Sequence, residues 1–134
     1  MSPLLLTIIV IALVLLAGVI VLLMFIAYLR RRISKTVRKT LLFAWNKAVV
    51  ERHPTLKIVQ ADKILDEALS QRGFTGSLGD KLKAAETLFT DINAVWKAHK
   101  LRNTLVHDLQ AEANDRDVDD AMRAFRQALR DVGV

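Results

Sequence analysis

The stretch from Trp96 to Asp108, Trp-Lys-Ala-His-Lys-Leu-Arg-Asn-Thr-Leu-Val-His-Asp, gathers the side chains of this chain best suited to chemistry. On a helix, steps of three and four residues place Trp96, His99, Asn103 and His107 on one face. Arg102 lies one position round, and its long side chain reaches toward that face. Polar, cationic and titratable groups thus converge beside Trp96 and Val106, both expected to be partly buried. Such a face can grip a phosphate and move a proton, since arginine offers a bidentate fork and histidine changes charge near neutral pH. The same residues also fit a packing role, with the histidines and Asn103 satisfied at a helix edge and Arg102 paired to a carboxylate.

Other chemistries are poorly served. No metal site or cofactor is expected: there is no cysteine, nothing resembles His-Glu-x-x-His, and His99 and His107 lie two turns apart, about 12 Å along a helix. His53, standing before Pro54, reads as a turn residue. Gly73, Gly76 and Gly79 invite comparison with a phosphate-binding loop, but such a loop follows a strand and ends in Gly-Lys-Ser/Thr. Here Asp80-Lys81 follows Gly79, and a helical pattern precedes the glycines, so the segment reads as a connecting loop.

Arg102-Asn103-x-x-x-His107 resembles the signature of the HEPN superfamily, in which an arginine, usually followed by a polar residue, precedes a histidine by four to six positions. More loosely, Ala61 to Asp66 together with Leu105-Val106-His107 looks like small membrane-anchored HEPN-like bacterial proteins. The resemblance covers about residues 36–132. Position 109 is Leu where some toxin-like branches carry Tyr. The resemblance implies a small helical bundle and a metal-independent ribonuclease of the toxin or stress-defence type, working as a homodimer that joins two Arg–His pairs. In that setting His107 is the general base or acid, Arg102 the phosphate clamp, and Asn103 the residue that orients them, with His99 and Trp96 contacting the RNA. The superfamily also contains non-catalytic members, so the implied alternative is a membrane-tethered module that binds a ligand or a protein partner.

The elements that must position these residues are all helical. Val37, Leu41, Ala44, Trp45, Ala48 and Val49 give one apolar face from about Lys35 to Arg52, and His53-Pro54 ends it. Ile58, Ala61, Ile64, Leu65, Ala68 and Leu69 form the next inward stripe, closed near Gly73. Ser77 and Asp80 form a capping box for a helix carrying Leu82, Ala85, Leu88 and Phe89. Asp91 caps a helix to about His107, and Asn114 to Asp117 opens the last, whose apolar stripe runs from Val118 to Val132. The fold class is all-α: a bundle of four or five helices behind a transmembrane helix.

That transmembrane helix is the strongest single signal in the chain. Leu4 to Leu29 are 26 consecutive uncharged residues, about 39 Å as a helix, against a hydrocarbon core of roughly 30 Å. Tyr28 falls where an amphipathic ring suits the interface. A cleaved signal peptide is disfavoured, because Met1-Ser2-Pro3 has no basic residue and the apolar run is too long. Arg30, Arg31, Arg32, Lys35, Arg38 and Lys39 follow with no acid among them. These charges are expected to stay on the cytoplasmic side of a bacterial inner membrane and to touch anionic headgroups. Residues 41–134 hold 14 Lys/Arg against 14 Asp/Glu, so the +6 net charge resides entirely beside the span. The chain divides into an anchor (1–29), a basic juxtamembrane segment (30–40) and a HEPN-like domain (41–134). A single cysteine added at the C-terminus of this cysteine-free, single-pass chain should resist an impermeant thiol reagent in intact cells and react after permeabilisation; labelling in intact cells overturns the orientation.

Overall fold

The computed structural model describes residues 2–30 and 32–134, apart from the side chains of Ile26, Tyr28, Leu29 and Arg30. The roles expected of the Tyr28 ring and of the charges on Arg30 and Arg31 therefore lie outside the described features. Every described element is helical, with no strand among the described residues. The chain forms two compact units, Met1–Arg32 and Ile33–Val134.

The first unit is helix α1, Pro3–Arg30. Its large apolar side chains from Leu4 to Phe25 are exposed around the whole circumference, and Pro3–Phe25 is long and apolar enough to cross a membrane. A helix of this kind closes its own backbone hydrogen bonds, which hydrocarbon cannot supply.

The second unit holds α2 (Lys35–Val50), α3 (Pro54–Gln71), α4 (Leu78–Ala84), a 3₁₀ turn (Glu86–Leu88), α5 (Ile92–His107) and α6 (Asp115–Val132). Helix α3 is central and packs against α2, α4, α5 and α6, while α5 also lies along α6. The inward stripes of α3 and α6 supply most of the closed core, with Ile58, Leu65, Leu69, Phe125, Leu129 and Val132 removed from solvent. Side chains cap the starts of four helices: Ser34 accepts from Val37 N, Ser77 from Asp80 N, Asp91 from Ala94 N and Asn114 from Asp117 N. Gly133 closes α6 at φ 101°, in the left-handed region that a β-carbon disfavours.

Four expectations need correction. Helix α2 ends at Val50 rather than Arg52, and Val49, expected inward, is exposed in its last turn. Helix α4 stops at Ala84 instead of continuing to Phe89. The tighter 3₁₀ turn lets Leu88 and Phe89 pack onto the core and delivers Thr90, which donates its amide and hydroxyl to the Asp131 carboxylate at 2.8 and 2.9 Å. Val106 is 44% exposed rather than partly buried, because it faces away from α3 and α6 in the last turn of α5.

The capping box of α4 is closed on both sides, with Asp80 Oδ2 accepting from the Ser77 hydroxyl at 2.6 Å and from its amide at 3.0 Å. These bonds hold the Asp80 carboxyl below its ordinary value, so the cap is complete above the normal carboxylate range and weakens as pH falls through the lowered one. Phe125 is fully enclosed, and Phe125→Ala should cost about 3–5 kcal/mol. Denaturant melts followed by far-UV circular dichroism check this; a loss within about 1 kcal/mol would place the ring outside the cooperative core.

Candidate functional site

The site grows from one acidic residue on an apolar stripe. Along α3, Ile58, Ala61, Leu65, Ala68 and Leu69 face the core, and Asp62 occupies the same inward face. Its side chain is only 6% exposed. A carboxylate in such a place needs compensating partners. Helix α5 provides them, because α3 and α5 lie side by side and His99, Arg102 and Asn103 sit on successive turns facing α3.

His99 Nδ1 lies 2.7 Å from Asp62 Oδ1. An ionised carboxylate only accepts, so Nδ1 carries the proton and donates it. The second ring nitrogen, Nε2, then accepts from Asn103 Nδ2 at 3.3 Å. Asn103 Oδ1 accepts from Arg102 Nη1 at 2.8 Å. The circuit closes at Arg102 Nε, 3.3 Å from Asp62 Oδ2, near enough for an ion pair but not aligned for a hydrogen bond. Asp62, His99, Asn103 and Arg102 thus form a four-membered polar ring across the α3–α5 interface.

The apolar wall of the ring is Trp96. Its indole meets the His99 imidazole edge to face, with centroids 6.0 Å apart and planes at 65°. On its other side it lies against Gly79 in the first turn of α4, where a β-carbon would stand 3.6 Å from Cη2. Trp96 is therefore a half-buried packing residue as well as a neighbour of the polar ring.

The face expected to unite Trp96, His99, Asn103 and His107 is divided. The first three join Arg102 and Asp62, while His107, the last residue of α5, is exposed beyond them. Arg102 reaches the face through Asp62 and Asn103, and its side chain remains 31% exposed. Asp62 is the residue that sequence patterning passes over, although an aspartate on an otherwise apolar stripe is itself the signal. Its partners lie 37 and 40 positions away, across a helix contact that no local spacing reveals.

The glycine loop is held shut by a different buried charge. Lys81 Nζ, on a side chain 7% exposed, donates to Asp66 Oδ1 and Ser70 Oγ, both at 2.7 Å, and lies 3.4 Å from the Asp66 carbonyl. All three ammonium donors are spent within the protein, which leaves none for a phosphate in the loop. Among the described residues, no three His, Cys, Asp or Glu side chains come together as metal ligands would. The chain matches no protein-family model, no curated protein and no solved structure.

Asp62→Ala removes the acceptor of a charge-assisted bond and should destabilise the domain by about 2–3 kcal/mol. A double-mutant cycle with His99→Ala separates the pair from its surroundings. Coupling of about 1 kcal/mol or more is expected, and additive losses would show that the two side chains act independently.

Proposed function

We propose that the chain is a single-span inner-membrane protein whose cytoplasmic, HEPN-like helical domain cleaves RNA without a metal. The observation that carries this reading is the way Arg102 is held. Its Nε edge faces Asp62 and one Nη1 hydrogen goes to Asn103, so the remaining guanidinium donors are left toward solvent at fixed orientation. Five residues on, His107 offers an exposed imidazole at the end of the same helix. An arginine held on one turn and an exposed histidine five residues on supply the groups for half of a phosphodiester-cleaving site.

The other half comes from a second copy. Val106 and Leu109 are exposed large apolar residues flanking His107, and they provide a self-complementary patch where two α5 ends would meet. Trp96, turned onto Gly79 and His99, contributes less to such a patch than its sequence position suggests. The span has no small-x-x-x-small pair around Gly18 to add to association. In the pair, one His107 takes the proton from a ribose 2′-hydroxyl as its oxygen attacks the adjacent phosphorus. The P–O5′ bond breaks, the partner copy's equivalent histidine protonates the leaving oxygen, and the two Arg102 side chains balance the charge growing on the phosphoryl oxygens. The products are a 2′,3′-cyclic phosphate and a 5′-hydroxyl.

A second reading draws on a separate observation. Asp62 already compensates the Arg102 charge, and residues 41–134 carry equal numbers of basic and acidic side chains. A domain so balanced suits a non-catalytic module that presents the α5 edge to a ligand or protein partner. The two readings part on one assay with the full chain in lipid nanodiscs, single-stranded RNA and EDTA. Wild type should cleave, and His107→Ala should lower the rate by about 100-fold or more. RNA left intact by wild type removes the ribonuclease and leaves the binding module.

A further inference from the structure

Helix α6 divides its polar residues between two edges. Asp120, Arg123, Gln127 and Asp131 line a groove of about 580 Å³ against α5, where opposite charges alternate and Asp120 pairs with Arg123. The edge toward α2 is different. Arg126 leaves the core beside Phe125 and lays its guanidinium over the buried Trp45 ring, with Cζ 5.9 Å from the centroid. The Nη1 of Arg126 is buried and has no hydrogen-bond partner among the described residues. Among the described residues, the charges that act on this guanidinium are positive, Arg130 one turn along α6 and Arg38 on α2. Burial first, and then repulsion from these two arginines, pushes the Arg126 group below the ordinary arginine value.

Three arginines from two helices therefore share one seam, with the middle one half-buried, packed on an indole and without an acidic counterpart among the described residues. Folding brings them together at a cost in repulsion that an anion would reverse. The arrangement has the parts of a phosphate site: a central guanidinium with a spare donor and two exposed guanidinia beside it, of which Arg130 also donates one hydrogen bond to Gln127 at 2.6 Å. We infer that Arg38, Arg126 and Arg130 bind the phosphate of an anionic lipid headgroup, docking the α2–α6 seam on the membrane that holds the chain.

Connectivity and charge favour lipid as the source. Arg38 lies eight residues beyond the end of α1 along the chain, so the seam begins close in sequence to the apolar helix. It also belongs to the basic run of residues 30–39, which contains no acid. A nucleic-acid ligand would need a longer basic track than three arginines on a domain that is otherwise balanced. This inference rests on reading α1 as a membrane anchor.

The test uses the full chain in nanodiscs of phosphatidylcholine alone or mixed with phosphatidylglycerol, with modification by an arginine-specific dicarbonyl read at each site by mass spectrometry. Each arginine near an anionic surface strengthens association roughly fivefold. Arg38, Arg126 and Arg130 should accordingly react several-fold more slowly in the anionic discs, with Arg72 and Arg116 unchanged. Arg126→Gln should abolish the protection of the other two. Arg130→Gln, on the exposed rim, should weaken it without touching the core. Equal reactivity in the two discs overturns the inference. Protection in neutral discs by inorganic phosphate or by an RNA oligomer, matching that of the anionic lipid, also overturns it by assigning the site to a soluble anion or to nucleic acid. Co-elution of the chain with neutral discs reports the anchor separately. Failure there sinks the anchor reading, while protection by added anionic discs still decides whether the seam binds lipid phosphate.

Discussion

A carboxylate buried between two helices constrains everything around it. Asp62 sits on the core-facing stripe of α3, and leaving it uncompensated would be more costly than any single apolar contact it displaces. The requirement fixes the register of α5 against α3, since only one sliding position brings His99 and Arg102 to its two oxygens at 2.7 and 3.3 Å. Register in turn sets which side of α5 is outermost. It sends Trp96 onto Gly79 and leaves the final turn, with Val106 and His107, facing solvent. The positions of the chemically capable groups follow from how that buried charge is satisfied.

The elements most legible in the sequence are those set by short-range chemistry. The capping box of Ser77 and Asp80, the Asp91 cap, the Asn114 start and the Gly133 stop all stand where residue type and spacing put them. The stripe of α6 is readable because seven buried residues recur at helical spacing with charges between them. Less legible are features decided by packing between distant segments. Nothing local says that α4 must tighten after Ala84, because the reason lies in Asp131 accepting from Thr90 forty-one positions earlier. Arg102, Asn103, His99 and Trp96 are visible as candidates from spacing alone, yet the partner that organises them belongs to another helix. Val106 misleads because apolar character in the last turn of a helix does not decide which way that turn faces.

Charge is distributed by the same logic at a larger scale. The second unit holds 17 Lys/Arg against 14 Asp/Glu and separates its charges by face, with paired charges in the α5–α6 groove and, along the α2–α6 seam, arginines that have no acidic partner among the described residues. A count over the sequence hides this, since Arg123 and Arg126 weigh equally in it. Only the fold distinguishes an arginine beside Asp120 from one resting on Trp45.

The polar ring has a direction. Donation runs from Arg102 to Asn103, from Asn103 to His99 and from His99 to Asp62, and each member gives to the next without a spare acceptor at the imidazole. A proton placed on His99 Nε2 would set two donors against each other at the 3.3 Å contact. The Asn103 amide must then rotate to offer its oxygen to the imidazolium, and that oxygen is the one Arg102 Nη1 holds. Arg102 would then keep only its ion pair with Asp62. The ring therefore couples the proton count of a nearly buried histidine to the freedom of a half-exposed arginine, through the turning of one side-chain amide.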